Sequence, residues 1–320
     1  MTDETRPPKT ARLPHLGDQM FVTDGGLETD LIFNRHVELP HFASFPLMAD
    51  EVGRQVLRDY YDGYATVARH AGVGLLLETP TWRANPDWGS LLGYSRDELR
   101  DVNVAAARFL SDLRNEYADE IDDIVISGVL GPRGDGYVSA GEVDADEAAS
   151  YHADQIAALA AGGVDIITAL TLNEPGEAIG IVRAARAAGL PVAIAFVVET
   201  NGRLAAGLPL ADAIALVEAA APPDYYLINC AHPTHIEQGL TAGAWLDRIV
   251  GVRANASTKS HAELDESTEL DDGDIDELVE AHRPLRALLP NLRILGGCCG
   301  TDARHVAALW DVDWPPAPRD

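Results

Sequence analysis

Positive charge is what this 320-residue chain has least of: 24 Lys and Arg stand against 51 Asp and Glu, a formal net charge of −27. Lysine occurs only at Lys9 and Lys259. No Lys/Arg run offers the basic stripe of a nucleic-acid binder, and the acidity reads as a solvated surface. Long hydrophobic runs are missing as well. None approaches the ~18–20 residues of a membrane span, and the polar start Met1–Leu16 lacks the apolar core of a signal peptide. These absences predict a cytoplasmic protein with no nucleic-acid or membrane partner, and they leave its oligomeric state open. Cysteine is scarce. Three is an odd number that a disulfide framework does not account for, and a cytoplasmic chain would not keep a bridge oxidised. The three are therefore either buried apolar fillers or chemistry. A Gly-x-Gly-x-x-Gly phosphate loop is also absent.

Apolar residues make up 47% of the chain, ample for a sizeable core. They fall in short, nearly continuous runs: 21–24, 74–79, 124–128, 165–170, 192–197, 225–229, 249–254 and 293–296. Runs rich in Val, Ile and Leu that do not alternate suit parallel strands buried on both faces. Amphipathic stretches lie between them. The spacing predicts helices over 52–71, with Val56, Tyr60, Tyr64 and Val67 on one face, and over 146–161, with Asp146 as N-cap and Ile156 and Leu159 turned inward. Further helices are expected over 177–188, 210–221 and 274–289, each stopped by Gly or Pro. Eight such units in about 300 residues point to an α/β fold, a single-domain (β/α)8 TIM barrel, with a doubly wound sheet as runner-up. We expect a disordered lead-in over 1–17, the barrel over 18–312 and a tail over 313–320. The acidic stretch 263–277 is read as a solvated loop after the seventh strand, running into the next helix.

Active sites of such barrels lie at the C-terminal strand ends. The candidates there are Asp24, Gly25, Gly26 and Thr29 after strand one and Glu78-Thr79 after strand two. Strand four offers Thr171, Asn173 and Glu174, strand six Asn229 and Cys230, strand seven Asn255, and strand eight Cys298 and Cys299. All three cysteines thus fall at strand ends, on strands flanking the seventh. A lone cysteine there is usually core filler. An adjacent pair is different: neighbouring strand residues point to opposite faces, so both reach one ion only where the chain leaves strand geometry. Gly296, Gly297 and Gly300 are expected to supply that freedom. A vicinal disulfide in a redox sensor is the other reading of the pair. Three thiolates suit Zn2+ and leave one tetrahedral position open, which means catalysis. Their charges sum with the ion to −1. Such a centre activates water poorly, yet binds an incoming thiol and leaves its sulfur electron-rich, favouring alkyl transfer to sulfur. His232 and His235 are minor metal candidates.

Asp24-Gly25-Gly26 with Thr29, Gly202-Arg203-Leu204 with Gly207, Asn229-Cys230 with Pro233, Asn255, and Gly296-Gly297-Cys298-Cys299-Gly300-Thr301 resemble the homocysteine S-methyltransferase family, over roughly residues 18 to 312. The last segment is highly specific; the first alone is weak. The resemblance implies a (β/α)8 barrel, zinc on Cys230, Cys298 and Cys299, and homocysteine bound through sulfur. The methyl group would come from S-methylmethionine, S-adenosylmethionine, betaine or a corrinoid, and a free-standing barrel favours a small diffusible donor. It also implies that the strand-one loop holds the amino-acid end; on physical grounds, exposed amides at Gly25 and Gly26 are expected to take the carboxylate. Relatives carry a Glu at the end of strand four for the substrate ammonium, where this chain has Leu170. Glu78 or Glu174 would replace it, with Asn173, Asn229 and Asn255 as further substrate contacts; alternatively the acceptor is another thiol or a selenol. A non-catalytic zinc or redox-sensing protein is the reading from a different class.

Overall fold

The computed structural model describes residues 12–139 and 141–315. Eight strands follow one another: β1 Phe21–Val22, β2 Gly74–Glu78, β3 Ile124–Leu130, β4 Ile166–Leu172, β5 Val192–Phe196, β6 Tyr225–Asn229, β7 Ile249–Ala254 and β8 Ile294–Gly297. Each pairs in parallel with the next, and β1 pairs with β8, so the sheet closes into the expected (β/α)8 barrel. Every strand residue is buried, because one set of side chains fills the barrel and the alternate set meets the helices. Phe21, Leu76, Val125, Ile166, Ala193 and Tyr225 are among the interior set. Val22, Leu75, Leu77, Ile167 and Ile194 belong to the larger layer under the helices.

The principal helices are α1 Glu51–Ala71, α2 Arg96–Tyr117, α3 Ala145–Gly162, α4 Pro175–Ala187, α5 Leu210–Ala220, α6 Pro233–Gly239, α7 Ile275–Leu288 and α8 Ala303–Leu309. The inward face expected of α1 holds for Tyr60, Tyr64 and Val67, while Val56 is only partly buried. Asp144, not Asp146, caps α3, its carboxylate accepting from the amides of Asp146 and Glu147 at 3.0 and 2.8 Å. No described helix is long and apolar enough to cross a membrane. Of the lead-in expected over 1–17, residues 1–11 lie outside the described residues, while Pro14–Leu16 form a 3-10 turn and Leu13 packs against the interior cluster. Residues 316–320 of the expected tail also lie outside them.

A candidate metal and thiol site at the barrel mouth

The C-terminal end of β6 breaks from strand geometry at Cys230, whose φ of 56° is costly for a residue with a Cβ. Three contacts impose it. The Cys230 amide donates to the Arg253 carbonyl at 2.9 Å, and the Cys230 carbonyl accepts from Asn255 Nδ2 at 3.1 Å and meets His261 Nε2 at 2.5 Å. The bend turns the thiol over the barrel. β8 stops at Gly297, and Cys298–Gly300 form a turn beside it, Gly300 at φ 79°. The freedom expected of three glycines is needed only there. Gly296 and Gly297 are strand residues required by close packing: a Cβ would sit 2.5 Å from Thr23 Cγ2 at one and 1.9 Å from Thr301 Oγ1 at the other.

The result is a cluster of three free cysteines whose Sγ atoms lie within 4.8 Å of one another, Cys230 and Cys299 being 3.5 Å apart. It is the one His/Cys/Asp/Glu group of metal-binding geometry among the described residues. His232 and His235 stay outside it: His232 caps α6 through Thr234, and burial pulls its pKa down to about 4. Hydrogen bonding within the cluster shifts the three thiols in different directions. Hydrogen bonds from Cys230 and Cys299, helped by Arg253, hold Cys298 well below the usual thiol range against its burial. Cys230 rises through its bond to Cys298 and its burial. Cys299 rises because bonding to Cys298 and burial outweigh the bond from Cys230 that pulls it down. Three cysteine sulfurs gathered around a common centre form a donor set that suits a thiophilic cation.

Beside the cysteines is a cavity of about 70 Å³, walled by Asp24, Glu78, Leu170, Asn229, Cys298 and Cys299 among others. Its floor holds Arg253, on β7. The guanidinium pairs with both Asp24 and Glu78 and donates to the carbonyls of Gly25 and Gly297 at 3.1 Å each. The second Asp24 oxygen accepts from Tyr60 at 3.2 Å. Glu78 Oε2 also accepts from Thr23 at 3.2 Å, while Oε1 is buried with no hydrogen-bond partner. Burial pushes the carboxyls of Asp24 and Glu28 up, against Arg253 in the first case and Ser44 in the second. Asn229 clamps Thr171, held at φ 64°, through both amide atoms at 2.8 Å. That clamp fixes the irregular end of β4.

The expected site residues therefore separate. Asp24, Gly25, Gly26, Thr29, Glu78 and Asn229 line the cavity. The Gly26 amide is already used, donating to the Thr301 carbonyl at 3.0 Å, so of the two expected amides Gly25 is the one left. Asn173 pins the loop after β3, donating to Gly136 at 3.0 Å, and Glu174 sits by Ser139; neither lines this cavity. Asn255 faces a neighbouring cavity. Sequence reasoning missed Arg253 and Tyr137. A lone Arg inside the apolar run of β7 was a readable signal, since a buried charge demands partners. Tyr137, in the loop after β3, lies over the cysteines with its hydroxyl 2.9 Å from Cys230 Sγ and 3.8 Å from Cys299 Sγ. Its ring stacks on His261 at 4.4 Å. Nothing local in the sequence marks it beyond its place in a βα loop.

A family model described as homocysteine S-methyltransferase matches residues 21–312. Among solved structures, the metallated form of the homocysteine methyltransferase MmuM from Escherichia coli is similar, at 19% identity over 92% of this chain and 96% of that one, with a TM-score of 0.70. The oxidised form aligns at 19% identity over 93% and 99%, TM-score 0.72, and the apo form at 17% over 91% and 95%, TM-score 0.64. At these identities the likeness concerns the fold. A search of curated proteins gives no match.

Proposed function

The chain belongs to the homocysteine S-methyltransferase family, and from that premise we propose that it moves a methyl group from a small activated donor to the thiolate of homocysteine, giving methionine, at a zinc ion held by Cys230, Cys298 and Cys299. The observation that carries this reading is the convergence of three cysteine sulfurs within 4.8 Å beside an acid-lined cavity. Zinc bound by three thiolates lowers the pKa of an added thiol yet leaves its sulfur a nucleophile.

The chain's own residues do the rest. Glu78 is suited to the substrate ammonium, since Oε2 is held by Arg253 and Thr23 while Oε1 is buried and unpaired. Two carboxyls face one guanidinium in the cavity floor, so the set has room for one further cation. Leu170, in the same wall, leaves the role to Glu78. The Gly25 amide is suited to the carboxylate. Tyr137 covers the cysteines and keeps water from the sulfur. Methyl transfer from a panel of sulfonium and betaine donors to homocysteine, with metal measured on the same sample, tests the reading. Methionine is expected from the wild type and not from Cys298→Ala, which also loses its zinc. A zinc-loaded wild type that methylates no thiol would refute it.

A further inference from the structure

We propose that Glu28, on the loop after β1, is a specificity-determining residue of the thiol cavity: its carboxyl donates a hydrogen bond to a carboxylate on the acceptor and so selects thiols that carry one. The inference rests on the thiol-site reading above. It gives a role to a buried acid that neither the metal nor the substrate ammonium requires.

Three carboxyls line the thiol cavity, those of Asp24, Glu28 and Glu78, and they are not alike. Asp24 and Glu78 share the Arg253 guanidinium. Glu28 forms no ion pair among the described residues. Its hydrogen-bond donors are the Ser44 hydroxyl, 2.8 Å from Oε1, and its own amide. Ser44 is buried and lies 3.3 Å from the Pro80 carbonyl, which ties Glu28 to the loop after β2. The next guanidinium, Arg83, does not line this cavity and lies over the Trp82 and Trp88 rings at 5.0 and 4.0 Å.

Charge decides what such a carboxyl can do. Asp24 and Glu78 against one Arg253 leave a surplus of one negative charge, which the substrate ammonium balances. A third ionised carboxyl would have no cation. An uncompensated buried charge is costly, and the group keeps its proton instead. The direction of the pKa agrees: burial pushes Glu28 up, and Asp24 and Cys298 add to it, against Ser44 and the Glu28 amide. Of the other groups that feel it, Tyr61 on α1 is neutral and Arg83 is held on its rings. Ser44 occupies Oε1, so the proton sits on Oε2. A neutral carboxyl is a donor in a cavity whose other carboxylates only accept. The acceptor's carboxylate needs such a partner, because the Gly26 amide is spent and Gly25 offers a single N–H. A bond from a neutral acid to that carboxylate is charge-assisted.

The test measures thiol binding to the zinc-loaded protein by calorimetry, with no methyl donor present. Three probes are used: homocysteine, γ-mercaptobutyrate, which keeps the carboxylate and lacks the ammonium, and aminopropanethiol, which does the reverse. Glu28→Ala is expected to weaken homocysteine and mercaptobutyrate roughly tenfold and to leave aminopropanethiol and the zinc content unchanged. Glu28→Gln, whose amide can accept from Ser44 and donate to the carboxylate, is expected to restore most of the lost affinity. A loss in Glu28→Ala that is shared by all three thiols, or no loss at all, would overturn the assignment. So would a Glu28→Gln variant no better than Glu28→Ala, since Glu28 would then act as an ionised acceptor. Because binding needs no turnover, a protein that shows this selectivity yet transfers no methyl group refutes the transfer reading and leaves the role of Glu28 standing. A wild type that binds none of the three thiols refutes both.

Discussion

The chemistry of the site turns on a few residues held in conformations they would not choose. Cys230 and Thr171 both have positive φ, and each is pinned by asparagine, Cys230 by Asn255 and Thr171 by Asn229. Such strain persists only where the surroundings over-determine it. Strand-end placement of the three cysteines was legible in the sequence; the bends that bring their sulfurs together were not, because they depend on hydrogen bonds from β7 and its loop. Tyr137 was illegible for the same reason, since the cysteines it meets lie at the ends of distant strands, whereas Arg253, a lone charge in an apolar run, was readable and was missed. The proton distribution in the cluster gives a prediction at this scale. Cys230 and Cys299 titrate above the usual thiol range, whereas Cys298 is held below it. Metal requires all three as thiolates, so uptake expels the protons of the two raised groups. Apparent zinc affinity therefore rises with pH and falls on acidification. Calorimetry in buffers of different ionisation enthalpy is expected to count at least two protons released; a count near zero would contradict binding through the two raised thiols.

At the scale of elements, the strand runs were readable to within a few residues, because short continuous apolar stretches bounded by turn residues fit buried parallel strands and little else. β6 and β7 occupy the expected 225–229 and 249–254. Helices were less legible. α2, of 22 residues, was not anticipated, although Ser95 and Glu98 form a capping box at its start, with Glu98 Oε2 accepting from the Ser95 amide at 2.9 Å. Its charge-rich face diluted the apolar period. α3 was recognised, but its cap was placed two residues late, since either aspartate satisfies the pattern and only backbone geometry chooses between them. Asp144→Ala is expected to cost about 1 kcal/mol, while Asp146→Ala, which removes an exposed pair with Arg183, is expected to cost at most a few tenths. Urea denaturation checks the order; equal losses, or a larger loss for Asp146, would place the cap elsewhere.

At the scale of the whole molecule, barrel closure is what makes a site of residues 230 and 298–299, nearly seventy positions apart in the chain. The same closure brings β1 and β2 round to β7 by way of β8, so that Arg253 reaches Asp24 and Glu78 in the floor. The account's central claim is that Cys230, Cys298 and Cys299 share one zinc ion whose remaining position receives the acceptor sulfur. Zinc-edge X-ray absorption of the purified protein, with and without homocysteine, tests it most directly. The prediction is three sulfur neighbours at about 2.3 Å without the thiol and four with it. A sulfur count below three in the free protein, or one that does not change when homocysteine is added, would contradict it.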